Sequence, residues 1–267
     1  IVPVWRGLVA ALEAGRARRT GGEALPRVEQ DIPIGIVGLV TVILLAPAGW
    51  LLASFLSGGP LGEIAVPLIA LGVAYLVFAG LLAAAVCGYM AGLIGSSNSP
   101  VSGVAILSVL GAALLTGAIG HGMTGGESGT ALIAYALFVT AMLLAVAVVA
   151  NDNLQDLKTG QLVDATPWKQ QVGLIIGVIA GSAVIPPVLQ LLNDAYGFAG
   201  TPNPDAIAAQ PLAAPQATLI STLAKGVIGG DLSWSLLGLG ALIGAGLVAV
   251  DIVLKRISAK RLSLPPL

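Results

Sequence analysis

Asp152, Asp156 and Lys158 are the residues with the most chemistry to offer, because they follow directly on an apolar stretch of membrane-spanning length. Asp152 and Asp156 stand four apart, so on a helix their carboxylates share one side. A carboxylate at membrane depth is a candidate proton carrier, and Lys158 is the electrostatic partner expected for it. The plainer reading of Asn151 to Gly160 is a solvated loop with a short helix, capped by Asn and Asp and stopped by Gly160. A second polar run, Gly95-Ser96-Ser97-Asn98-Ser99-Pro100-Val101-Ser102-Gly103, is uncharged and lies between two long apolar stretches. One reading is a turn, since Asn-Ser-Pro favours turn initiation and Pro can open the next helix. The other is a discontinuous helix whose freed backbone groups meet a polar substrate. Non-helical backbone at membrane depth is tolerated only where protein buries it or where it lines an aqueous cavity. On that reading Ser96, Ser97, Asn98, Ser99, Pro100, Ser102 and Gly103 belong to a substrate pathway.

Such residues need a scaffold, and the composition says which kind. The chain has 267 residues, 57% of them hydrophobic and only 9% charged. Its mean hydropathy is +0.97. Soluble domains carry about 25% charged residues, so this is an all-α polytopic membrane bundle. Abundant glycine suits close packing between membrane helices. A net charge of −1 argues against a nucleic-acid partner. The lone Cys87 has no second cysteine to pair with, and the lone His121 cannot build a zinc site. No nucleophile–base pair, phosphate loop or metal-ligand spacing is visible, so no enzyme and no cofactor are expected. The chain begins at Ile1 rather than Met and stops at Leu267, as expected of a portion of a longer protein.

A spanning helix needs about 20 apolar residues. Six segments qualify: Ile32 to Leu56, Ile64 to about Gly92, Val101 to Gly120, Thr130 to Ala150, Gln171 to Leu192 and Ser235 to Leu254. The expected organisation is a basic cytoplasmic segment over 1–31, a transmembrane domain over 32–254 and a second basic segment over 255–267. Arg6, Arg16, Arg18, Arg19 and Arg27 precede the first span, Lys158 and Lys169 separate the fourth from the fifth, and Lys255, Arg256, Lys260 and Arg261 follow the sixth. Six spans put all three groups on one side, and the positive-inside rule makes that side cytoplasmic. The expected location is the cell (inner) membrane with both ends of the segment inside. Ile64 to Gly95 would reach roughly 48 Å as one helix against about 30 Å of hydrocarbon. It must tilt, protrude, or break near Gly88 or Gly92.

Gly173, Gly177 and Gly181 form a packing face on the fifth span, and Gly240 and Gly244 repeat the spacing on the sixth. Pro186-Pro187 should break or kink the fifth span. Asp251 and Lys255, four apart, suit a local ion pair. The outer loop from Phe198 to Leu232 carries Pro202, Pro204, Pro211 and Pro215, then a helical pattern over Ala217 to Ile228. That piece is too short to span and is either interfacial or re-entrant.

Two motifs together carry a family resemblance. They are Gly92-Leu93-Ile94-Gly95-Ser96-Ser97-Asn98-Ser99-Pro100-Val101-Ser102-Gly103 and Leu154-Gln155-Asp156-Leu157-Lys158-Thr159-Gly160-Gln161-Leu162-Val163-Asp164-Ala165-Thr166-Pro167-Trp168-Lys169-Gln170-Gln171. They resemble the oligopeptide transporter (OPT) family in its prokaryotic branch. The second is similar to the Gln-Asp-Phe-Lys-Thr-Gly segment of the related yellow-stripe-like metal–chelate transporters. Leu212-Ala213-Ala214-Pro215-Gln216-Ala217 is also similar to the prokaryotic branch, and the resemblance extends from about Asp31 onward. The family more often has Gly where Asp164 stands. The resemblance implies a proton-coupled secondary transporter importing small peptides, or alternatively metal chelates or siderophores. A channel or structural membrane subunit is the alternative from another class. The implied partners are a small peptide or metal–chelate substrate, protons and the lipid bilayer, with a homo-oligomer left open.

Overall fold

Among the described residues six helices are long and apolar enough to cross a membrane, one at each expected place. The structure is a computed structural model, and it describes Val9, Glu13 and residues 26–198, 203, 205–208 and 210–257. Arg6, Arg16, Arg18, Arg19, Pro202, Pro204, Lys260 and Arg261 lie outside the described residues. The helices are α1 (Ile34–Leu56), α2 (Ala65–Ile94), α3 (Val101–Ile119), α4 (Gly126–Leu162), α5 (Pro167–Tyr196), the short α6 (Pro215–Gly229) and α7 (Trp234–Ile257). Single 3-10 turns occupy Arg27–Glu29, Gly62–Ile64 and Ser96–Asn98. No β-strand forms among the described residues, where one isolated bridge joins Phe198 and Leu212. This is a helical, multi-pass membrane architecture.

The chain divides into two compact units, Ile1–Gly229 and Gly230–Leu267. In the first, α4 is the central helix and packs against α2, α3, α5 and α6. Its buried residues are Gly129, Leu132, Tyr135, Ala136, Val139, Thr140, Leu143, Ala147, Asn151 and Gly160, and through Asn151 their spacing is that of one helical face. That face meets Leu68 from α2, Val109, Ala112 and Ala113 from α3, and Ala224 and Ile228 from α6 in one buried cluster. A second cluster joins Ala83 and Cys87 of α2 to Leu143 and Ala147 of α4.

Two tyrosines cross between helices in this core. Tyr135 donates its hydroxyl to the Leu68 carbonyl at 2.6 Å, and Tyr75 donates to the Ser108 carbonyl at 2.9 Å. Away from water a phenol hydroxyl must find such an acceptor. Glycine makes room for each, because a Cβ on Gly72 would run into Tyr135 Oη and one on Gly111 into Tyr75 Oη.

The structure removes one of the alternatives at several places. The second span does not break at Gly88 or Gly92; α2 runs unbroken to Ile94, and at 30 residues it is about 45 Å long. Leu154 and the Ala150 carbonyl close on Gly88, so this glycine serves helix approach rather than a kink. Pro186-Pro187 does not end α5, which continues to Tyr196 although the carbonyls of Ser182 and Ala183 lose their usual donors. The expected packing face at Gly173 and Gly177 meets no other atom within 4 Å of an added Cβ, and Gly181 meets only Ile185 of its own helix. The helical pattern expected over Ala217 to Ile228 forms as α6, whose Ala224 and Ile228 are buried and which packs on α3 and α4. The second unit is described by α7, in which Lys255 pairs with Asp251 at 2.5 Å as its spacing predicts.

Candidate functional site

The polar run between α2 and α3 is an irregular connection rather than a continuous helix. Gly95 ends α2 with φ +85°, a conformation that suits glycine, and its N–H donates to the Ala91 carbonyl at 3.0 Å. One 3-10 turn follows, closed by the Ser99 N–H on the Ser96 carbonyl at 3.2 Å. Pro100 then precedes Val101, and the Val104 N–H donates to the Pro100 carbonyl at 2.9 Å to begin α3.

Side chains from the same neighbourhood hold this turn. The Ser96 N–H donates to Gln155 Oε1 of α4 at 2.7 Å. The Ser99 hydroxyl donates to the Cys87 carbonyl at 3.3 Å, and Asn98 Nδ2 to the Ile94 carbonyl at 3.4 Å. Ser96 and Ser99 are half-buried, whereas Ser97, Asn98, Pro100, Ser102 and Gly103 are exposed. Ser97 and Ser102 make no side-chain hydrogen bond among the described residues, so their hydroxyls are open to a ligand.

The second motif is not a loop, and Gly160 does not stop the helix. Asn151 to Gly160 extend α4 without interruption to Leu162. Leu154, Gln155 and Lys158 are good helix formers, and three inward positions tie the extension down. Asn151 is buried, Gln155 grips the Ser96 turn, and Gly160 is buried against the Gln170 side chain of α5. Asp152 and Asp156 share the exposed side expected of their spacing. Lys158 is not their partner: it donates to Gln161 Oε1 at 3.0 Å, and no ion pair links it to either carboxylate. Residues two apart on a helix do not face each other, which separates Lys158 from Asp156.

The motif ends in a turn that also meets the start of the first span. The Arg27 guanidinium donates to the Asp164 carbonyl at 3.0 Å, and the Trp168 N–H to the Gln30 carbonyl at 3.1 Å. Asp164 has φ +54°, unlike any other non-glycine among the described residues. A left-handed position suits glycine best and Asp or Asn next, which accounts for a short polar residue at this turn.

Asn151, Gln155, Gln170 and Gln171 are polar residues of this region that residue spacing did not single out. Asn151 Oδ1, Gln170 Oε1 and Gln171 Oε1 are buried with no hydrogen-bond partner. A usable signal was present: Leu143, Ala147, Asn151 and Gln155 continue one stripe at four-residue spacing. Among the described residues no three His, Cys, Asp or Glu side chains gather to hold a metal ion. A cleft of about 590 Å³ lies at the opposite end of α4, lined by Pro60, Gly126, Glu127, Thr130, Ala131 and Ala134. It is remote from both motifs, since Ala134 and Asn151 are about 25 Å apart along the helix.

Comparison with known proteins agrees with the two motifs. The family model for the OPT oligopeptide transporter protein matches residues 5–267. A curated Haemophilus influenzae protein named "Putative oligopeptide transporter" is 41% identical over 253 residues, covering 92% of this chain and 40% of that protein. The chain thus spans about two fifths of the length of this relative. No solved structure matches. With both motifs in place and the match running through nearly every residue, the chain belongs to the oligopeptide transporter (OPT) family.

Proposed function

We propose that this chain is part of a secondary transporter that brings small peptides across the inner membrane by proton coupling. The observation that carries this reading is the 2.7 Å hydrogen bond from the Ser96 N–H to Gln155 Oε1. It joins the two motifs, separated by 59 residues, and ties an irregular turn to the helix that carries Asp152 and Asp156. Transporters place substrate contacts at such interruptions. The proposed pathway residues are Ser96, Ser97, Asn98, Ser99, Pro100, Ser102 and Gly103, with the free hydroxyls of Ser97 and Ser102 as hydrogen-bonding groups. Asp152 or Asp156 is the proposed proton carrier. Arg27, Lys169 and Lys255 favour a topology with both ends of the segment in the cytoplasm.

The test is uptake by the full-length transporter in proteoliposomes carrying Asp152→Asn or Asp156→Asn. Loss of gradient-driven accumulation in either variant supports the coupling assignment. Unchanged uptake with an unchanged pH profile in both removes it. A second reading, metal–chelate import, draws on the similarity of Gln155-Asp156-Leu157-Lys158-Thr159-Gly160 to the yellow-stripe-like segment. Competition of peptides against metal chelates for uptake separates the two.

A further inference from the structure

None of the 30 residues of α5 is buried. In the first unit it packs on α4, where Gln170 lies against Gly160. Gln170, Leu174 and Gly181 are half-buried and share that side of the helix. A second side is exposed along most of its length. Gly173, Gly177, Ala180, Val184, Pro187 and Leu191 follow one another in alternating steps of four and three, and all six are exposed. Such steps keep residues on one seam, the pattern by which one helix packs along another. The seam lies roughly a quarter turn round α5 from the α4 contact.

Two features set this seam apart from a face that merely meets lipid tails. The first is glycine, which is less favourable than alanine inside a helix and is useful where another backbone comes close. A Cβ at Gly173 or Gly177 would meet nothing within 4 Å, so there is room for that approach. The second is Pro187, which has no N–H, so the Ala183 carbonyl that points toward it loses its helical donor. Pro187 is about 8 Å from the midpoint of α5, within the hydrocarbon for a helix centred in the bilayer. A carbonyl freed at that depth needs a donor from a neighbouring helix or a trapped water, and lipid tails have none.

The chemistry of α5 also narrows the occupant. No Asp, Glu, Lys or Arg stands between Lys169 and Asp194, so the seam offers a water-soluble partner no charged contact and suits an apolar helix. The 41% identical Haemophilus influenzae relative is matched over only 40% of its length, which leaves ample chain for further spans. A helix of the same polypeptide is tethered near α5 and loses less freedom on docking than a separate copy would.

We propose that a transmembrane helix of the same polypeptide, from outside residues 1–267, docks along the seam from Gly173 to Leu191 and supplies a hydrogen-bond donor at the Ala183 carbonyl. The proposal stands on the surface of α5 and is independent of substrate and of coupling.

The experiment uses the full-length protein in its membrane, with p-benzoyl-phenylalanine in place of Val184 or, separately, of Leu191. After illumination the expected product keeps the mobility of the monomer. Mass spectrometry should join the α5 peptide to a segment outside residues 1–267. A product of twice the monomer mass gives the seam to a second copy, and an adduct to another residue of 1–267 gives it to this segment. Adducts to lipid alone leave it facing the bilayer. Each of these three results overturns the proposal. Gly177→Ala provides a second reading with a much smaller change. Against lipid it should raise the melting temperature, because alanine is the better helix former. Under a closely packed helix the added methyl should lower it by a few degrees. A fall is expected, and a raised or unchanged melting temperature overturns the proposal.

Discussion

Gln155 accepts the Ser96 backbone N–H at 2.7 Å, so one amide side chain on α4 holds the irregular turn between α2 and α3. The acceptor oxygen matters here more than side-chain size. Gln155→Leu should lower stability by about 1–3 kcal/mol, because a partly buried N–H loses its only bond partner. Gln155→Glu keeps an oxygen in place and should lose less. Thermal unfolding of both variants checks this, with Gln155→Leu expected to melt lower.

Tyr135 and Gly72 should behave as a coupled pair. The Tyr135 hydroxyl reaches the Leu68 carbonyl by crossing Gly72, where a Cβ has no room. Gly72→Ala should cost about 1–3 kcal/mol through overpacking. Tyr135→Phe should cost about 1 kcal/mol for the lost hydrogen bond. Removing the hydroxyl relieves part of the clash, so the double variant should lose less than the sum of the singles. A double-mutant cycle on unfolding free energy reads the difference directly.

Asp164 tests a backbone effect. At φ +54° its replacement by Gly should be tolerated, since glycine takes this conformation without steric cost. Asp164→Val should destabilise by about 1–2 kcal/mol, the usual penalty for a left-handed L-residue. The Arg27 contact uses the backbone carbonyl and survives both changes in principle. Equal melting temperatures for the Gly and Val variants would contradict the strain argument.

Lys158 should matter little to coupling. Its ammonium bonds to Gln161 on an exposed surface, away from Asp152 and Asp156. Lys158→Gln is expected to change stability by less than about 0.5 kcal/mol. Its uptake should show the same pH profile as the unmodified protein, and a shifted profile would restore Lys158 to the coupling site.

Much of the architecture was legible in the chain because the bilayer imposes it. A long apolar run in lipid must form a helix to satisfy its own backbone, so α1, α3 and α7 fall within a few residues of their hydropathy limits. The Asp251–Lys255 pair was equally local, requiring only four-residue spacing on one helix. Common placement of Arg27 with the turn after the fourth span also follows from an even number of crossings, and Arg27 meets Asp164 there.

What depended on the fold lies between segments. Hydropathy sees only an apolar window, so it ended the fourth span at Ala150, while α4 continues to Leu162 because Asn151, Gln155 and Gly160 each fit against another element. Gly72 and Gly111, outside any glycine repeat at four-residue spacing, are the ones that receive tyrosines. The amino-acid sequence by itself determined the helices and the two polar motifs, since backbone satisfaction in lipid and residue spacing are local properties. Only the tertiary structure decided that Ser96 meets Gln155 and that Asn151 is buried without a donor. Those depend on how separate helices approach, and side-chain complementarity between distant residues sets that approach.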